Sequence, residues 1–276
     1  MSKSAVIAVD AHAHLYSCFE VGSFLERAFS NLSEAASQRG YNKRPTGVLF
    51  VISTPEADGF GRLRSAVERG THDSNLGDEN WQVHGTAERV SACLTSCDRS
   101  LIAIGGRQIG SREHLEVLAL GTRKQFEEGQ PARTLIQEVA QTGAIPVLPW
   151  GVGKWLGTRG RVVDDLIEDP DLPPFFLGDS DHRPTFWPQP SQFRRAEEQG
   201  IKNLSGSDPL PFPREVQRAG SFGVVLDESL NLERPAQDLK QKLLDPSTTF
   251  RQFGEGEALA RFVRNQLKMQ FRKFTQ

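Results

Sequence analysis

The sequence predicts an α/β fold: a distorted, TIM-like β/α barrel of roughly seven or eight strands, with an antiparallel β insertion around residues 81–110. Three observations carry this. The chain has 276 residues, close to the roughly 250 that one such barrel takes. Short, wholly apolar runs recur and alternate with stretches whose apolar residues keep a helical period, the pattern of a parallel sheet covered by helices. No repeat and no low-complexity linker interrupts the chain, so residues 1–276 read as a single domain.

The first run, residues 5–9, is Ala-Val-Ile-Ala-Val, and it ends at once in Asp10-Ala-His12-Ala-His14. It is too short, and too quickly followed by charge, for a signal peptide or a spanning helix. Residues 19–39 place Phe24, Ala28, Leu32, Ala35 and Ala36 at helical spacing, with Gly40 as the stop. Residues 47–53 are a second strand, entered after Pro45 and closed by Pro55. A weaker helix follows at 56–68, and residues 72–80 are a polar loop.

Strand-like runs then stand at 81–84, 89–96, 101–104 and 115–120. No helical period separates the first three, which marks an antiparallel meander; the last one or two are read as barrel strands. From Thr122 the alternation resumes with helix 133–141, strand 144–150, helix 162–168, strand 174–178, helix 191–198, strand 201–206, helix 213–219 and a strand at 221–226. The terminal helix, 257–274, has an apolar stripe of Leu259, Val263, Leu267, Phe271 and Phe274 and is otherwise basic. Such a helix can bind membranes or acidic partners; the expectation here is that the stripe docks on the barrel.

The net charge of −2 leaves no electrostatic footprint for nucleic acid. Cys18, Cys93 and Cys97, an odd and low count, suit a reducing cytoplasm and are read as buried thiols. The expected protein is therefore cytoplasmic, with neither membrane nor nucleic acid as partner. Lys154 is not in a phosphate-binding loop, because Trp155 follows it; there is no Gly-x-Ser-x-Gly, no His-Glu-x-x-His and no Cys-x-x-Cys.

Chemistry is sought where strands end, since the loops leaving those ends form the mouth of a barrel. On an extended strand His12 and His14 project to one face, and paired imidazoles suit a zinc-like cation. Asp10 shares their parity and is placed to orient them. The strand at 174–178 leads into Asp179, Asp181 and His182, which are placed to complete a coordination sphere. Lys154 and Arg159, in a Gly-rich loop after Trp150, suit an anionic group at the mouth, or else form a solvated basic loop. His84 and His114 are further candidates.

A first strand ending in His12-x-His14, the strand and helix alternation, and Gly206-Ser207-Asp208-Pro209 together resemble the amidohydrolase superfamily and the related PHP-type phosphoesterases. The resemblance covers most of the chain in outline and few residues in motif. It implies a metal-dependent hydrolase on a β/α barrel, with His12, His14, Asp181, His182 and Asp208 on a divalent cation (zinc foremost, manganese or iron as alternatives). In that family the matching aspartate binds metal, accepts the proton of the attacking water, or does both, so Asp208, with Asp179, takes the catalytic role. A small-molecule substrate, anionic if Lys154, Arg159 and Trp150 bind it, would present an amide, ester or phosphoester.

The chain also departs from that pattern. The strand ending at Trp150 carries no histidine, and only His182 follows the next. A degenerate barrel serving as a binding or assembly module is the competing reading, and a lyase built on the same constellation is a third.

Overall fold

The computed structural model describes residues 5–68 and 81–275, with side chains through residue 270. The loop expected at 72–80 lies outside the described residues. The elements run β1 (Ile7–Ala13), α1 (Val21–Gln38), β2 (Thr46–Ser53), α2 (Gly59–Glu68), β3 (Gln82–Gly85), β4 (Ser91–Ser96), β5 (Arg99–Gly110), β6 (Glu116–Leu120), α3 (Ala132–Gln141), β7 (Ile145–Pro149), α4 (Gly157–Glu168), β8 (Phe176–Gly178), α5 (Ser191–Glu198), β9 (Gly223–Leu226), α6 (Pro235–Leu244), β10 (Arg251–Phe253) and α7 (Leu259–Thr275). A 3₁₀ helix, Pro213–Arg218, stands where an α-helix was expected at 213–219.

The sheet order is β10-β9-β1-β2-β5-β6-β7-β8, and it curls into a half-barrel. β1, β2 and β5 are mutually parallel, as are β7 and β8. A uniformly parallel barrel is corrected at two places. β6 runs antiparallel to both β5 and β7, and β9 and β10 add antiparallel strands beyond β1. The twelve residues of β5 explain the first departure: the strand pairs β4 along its first half and β6 along its second. β3 and β4 form the expected antiparallel insertion, while β5 itself belongs to the main sheet.

Residues 201–206 form no regular strand. Leu177 bridges Asn203 and Ser180 bridges Gly206 as isolated parallel pairs, and on the other side Ala11 N–H donates to the Ser205 carbonyl at 3.1 Å. This segment spans the gap between β8 and β1. Within the curl lie Ile7, Val9, Phe50, Ile104, Leu118, Val147, Phe176 and Leu204. Outside, Phe24, Leu25, Ala28 and Leu32 of α1 cover β1 and β2 with Ala8, Leu49 and Val51, while α3, α4 and α5 cover β6 to β8 through Leu135, Ile136, Val163 and Phe193. Fully burying each large side chain contributes about 1.5–3 kcal/mol.

Three further expectations are corrected. α4 starts at Gly157, so Arg159 and Arg161 are helical. The apolar stripe of α7 does not dock: Leu259 is 57% exposed, Val263 47% and Leu267 55%. The helix is instead held on its other side, where buried Asn265 donates Nδ2–H to Glu257 at 2.7 Å and Glu215 at 3.3 Å. The cysteines are not buried thiols, because Cys18 and Cys97 are exposed and Cys93 is half-buried; Cys97 occupies the β4–β5 turn with φ of +50°. Among the described residues no helix is long and apolar enough to cross a membrane.

Candidate metal centre

The site forms where the end of β1 meets the loop at 205–208. Gly206 permits the approach. A Cβ there would stand 2.1 Å from the His12 nitrogen, so any side chain would force the segments apart. Asp10 ties the contact from beneath. Its buried carboxylate accepts the backbone N–H groups of His12 at 3.1 Å, Ser207 at 2.9 Å and Gly220 at 2.9 Å, together with the Ser207 hydroxyl. Burial pushes the Asp10 carboxyl up to about 6, against the four hydrogen bonds that pull it down. A register shift in β1 between Asp10 and Ala13 locally re-aims the strand, as bulges do.

These constraints bring His12, His14 and Asp208 together, with their ligand atoms all within 4.8 Å of one another. The two Nε2 atoms are 3.0 Å apart, and Asp208 Oδ1 lies 3.5 Å from His12 Nε2 and 3.4 Å from His14 Nε2. Donors about 2.0–2.2 Å from a tetrahedral cation stand about 3.3–3.6 Å apart, so the two carboxylate separations fit and the 3.0 Å between the imidazoles would open by about 0.3 Å around a cation. His14 Nδ1 is 3.0 Å from the Ile52 carbonyl, which only an Nδ1–H can satisfy; in the neutral ring that tautomer leaves the Nε2 lone pair facing the cluster. Burial pulls His12 down to about 4 despite the neighbouring Asp208, so the ring is neutral at pH 7, as a ligand must be. Burial alone would raise the Asp208 carboxyl, but His12, His14 and His182 together hold it well below the usual carboxylate range. Two imidazoles and one carboxylate, with no fourth His, Cys, Asp or Glu joining them among the described residues, make the set of an open site.

The cluster after β8 does not join them. Asp179 is buried and engaged by Arg183, whose NH2 lies 2.8 Å from Oδ2, and by the Ser180 N–H at 3.0 Å. Asp181 is gripped by Arg218, with Nε at 2.7 Å, and by the Ser221 hydroxyl at 3.0 Å. His182 turns Nε2 to the Asp208 backbone carbonyl at 2.5 Å. Burial would lower its pKa, but Glu257, Asp181 and Asp208 raise it to about 9, and a protonated imidazole is no ligand. Asp181 and His182 as ligands and Asp179 as catalyst are thus corrected: ion pairs already engage them.

The cluster opens on a cavity of about 510 Å³ lined in part by His14, Tyr16, Gln108, Glu116, Lys154, Asp208, Leu210 and Met269. Antiparallel β6 brings its first residue, Glu116, to the end of the sheet where β1, β5 and β7 finish. There it pairs with Lys154 and acts electrostatically on His12, and Gln108 lines the same cavity. Lys154 thus lines the cavity on which the cluster opens. Arg159 instead braces the loop, donating to the Gly153 carbonyl at 2.9 Å, and Trp150 is a core residue, 5% exposed, packed with Leu148 and Trp155. His84 bonds Thr95 in the β3–β4 hairpin, away from the cluster; His114 is in the left-handed turn before β6. Gln108, Arg218 and Glu257 were not legible beforehand as site residues, because only the fold brings them near.

Fold and site together define a mixed α/β half-barrel with a candidate three-ligand cation centre at its mouth. The fold is similar to that of PsfC from Pseudomonas syringae PB-5123, at 14% identity and a TM-score of 0.53, over 96% of this chain and 98% of that one. The lesion-specific endonuclease PfuEndoQ from Pyrococcus furiosus aligns at 11% identity with a TM-score of 0.46, over 90% of this chain and 57% of its own. No family model and no curated protein matches the sequence.

Proposed function

We propose that this chain is a metal-dependent hydrolase acting on a small molecule. The observation that carries the reading is the convergence of His12, His14 and Asp208 at a cavity of about 510 Å³, a volume in the range of small-ligand sites. His12, His14 and Asp208 would hold the cation, with zinc favoured by two imidazoles and manganese or iron compatible. When bound, such a cation acidifies a water and polarises the bond to be cleaved. Asp208, whose Oδ1 faces both imidazole nitrogens, would serve as ligand, and a proton acceptor works best with a pKa near the working pH. Glu116 is the cavity carboxylate next in line for the proton. Its pairing with Lys154 keeps a cation at the rim to orient an anionic substrate group.

Metal content of protein purified without chelator, compared with the His12→Ala/His14→Ala double variant, tests this reading. Near-stoichiometric zinc, manganese or iron lost in the variant supports it and directs a screen of amide, ester and phosphoester substrates. Absence of metal after reconstitution refutes it and favours the non-catalytic module.

A further inference from the structure

Asp208 has an uncommon backbone for its place in the chain. Its φ is +44°, in the left-handed region that Asp tolerates better than most L-residues, but Pro209 follows and pushes the residue before it towards extended backbone. Two contacts from outside hold it. Asp208 N–H donates to the His12 carbonyl at 2.6 Å, and the Asp208 carbonyl accepts from His182 Nε2 at 2.5 Å. The Cα that launches the carboxylate lies between these two gripped peptide groups, so its aim at His12 and His14 depends on both.

His182 is itself held. Glu257, 1% exposed, places Oε2 at 3.9 Å from His182 Nδ1 as an ion pair, and among the described residues that oxygen has no hydrogen-bond partner. The other oxygen, Oε1, is taken by Asn265 at 2.7 Å and Arg218 at 3.5 Å. The Glu257 backbone is locked beside the 183–185 turn: its N–H donates to the Arg183 carbonyl at 3.0 Å, and Thr185 N–H donates to its carbonyl at 3.0 Å. Gly256 makes this approach feasible, since a Cβ there would lie 2.3 Å from the Arg183 carbonyl oxygen.

We infer that His182, oriented by Glu257, is a positioning residue for Asp208, fixing through the backbone carbonyl the carboxylate that faces His12 and His14. This rests on the metal-site reading above. The essential element is an N–H at the Nε2 position. A glutamine side chain places an amide N–H near that point, an asparagine falls one bond short, and alanine offers none.

The test is zinc affinity by chelator competition on full-length His182→Ala, His182→Gln and His182→Asn, with the thermal midpoint of each metal-free protein measured alongside. The Ala and Asn variants are expected to bind zinc about 10–100-fold more weakly, the usual effect of removing a group that orients a ligand. His182→Gln should stay within about threefold of wild type. A merely structural role would lower the metal-free midpoint while leaving the zinc affinity of folded protein unchanged. Should His182→Ala fail to fold, the Gln and Asn pair carries the comparison. Equal affinity in all variants, with zinc still abolished by His12→Ala/His14→Ala, overturns the positioning role and leaves the metal site standing. Equal weakening by Gln and Ala also overturns it, since ring packing and not the donor would then matter. A wild-type protein that binds no zinc overturns both.

Discussion

Gly206→Ala tests whether the site depends on the seam between β1 and the 205–208 loop. The added Cβ would lie 2.1 Å from the His12 nitrogen and 2.7 Å from its Cα. Ordinary contact begins at 3.4 Å, so the strands must separate by about 1 Å or more, because both obstructing atoms are backbone. Two backbone–backbone hydrogen bonds cross that seam beside the Asp10–Ser207 contacts, Ala11 N–H to the Ser205 carbonyl at 3.1 Å and Asp208 N–H to the His12 carbonyl at 2.6 Å. Losing both costs about 1–3 kcal/mol at about 0.5–1.5 kcal/mol each. For a chain of this size each kcal/mol lowers the thermal midpoint by about 2–4 °C, so a fall of about 2–12 °C is expected. Metal sites tolerate ligand displacements of only about 0.2 Å, so zinc affinity should fall by more than about tenfold even where the variant is folded. Thermal melts with and without zinc, and a chelator-competition titration, measure both quantities. A Gly206→Ala protein with wild-type midpoint and wild-type zinc affinity would refute the proposed geometry.

The other predictions are more local. Arg218→Met strands Asp181 and Glu257 without their shared cation and should cost about 3–5 kcal/mol in denaturant unfolding, as breaking one side of a buried ion pair does; a loss below 1 kcal/mol would show that the network is not stabilising. Leu267→Ser on α7 should change stability by no more than about 0.5 kcal/mol, since that side chain is 55% exposed; a large loss would restore the docked stripe that the sequence suggests. Lys154→Ala should leave zinc affinity within about threefold, while raising KM for any anionic substrate found more than it lowers kcat. An unchanged KM would remove Lys154 from substrate binding.

Much of the fold was legible because local pattern and burial agree. Residues 47–52 and 145–149 are wholly apolar and lie in strands buried on both faces, and α1 shows its period because one stripe meets the sheet while the other faces solvent. α6 and β10 were missed: α6 buries only Pro235, Leu239 and Leu243, and β10 has three residues of which Phe253 alone is buried. Strand direction was illegible for a different reason. β6 is apolar whether parallel or antiparallel, and its direction is set by long β5 turning straight back at 111–115 with no crossover helix. Histidine parity on β1 marked half of the site in advance. Asp179, Asp181 and His182 misled because a strand-end position says where a side chain starts and not which arginine reaches it first.

The site and the irregular edge of the half-barrel have a common cause. A regular strand at 201–206 would have continued the ladder between β8 and β1, and its residues would have pointed alternately inward and outward. The segment instead makes single bridges at Asn203 and Gly206, crosses to β1 at Ser205, and then turns at Asp208 into a left-handed conformation. The departure from regularity frees the carboxylate to face two histidines on the adjacent strand. Its cost is met by the buried carboxylate of Asp10 below and by His182 beside it. Asp10 is therefore as much a part of the site as the residues facing the cavity, although it touches none of the open space. Strain held in place by surrounding polar contacts is characteristic of functional positions. Here it falls on the one residue that joins the two halves of the cluster.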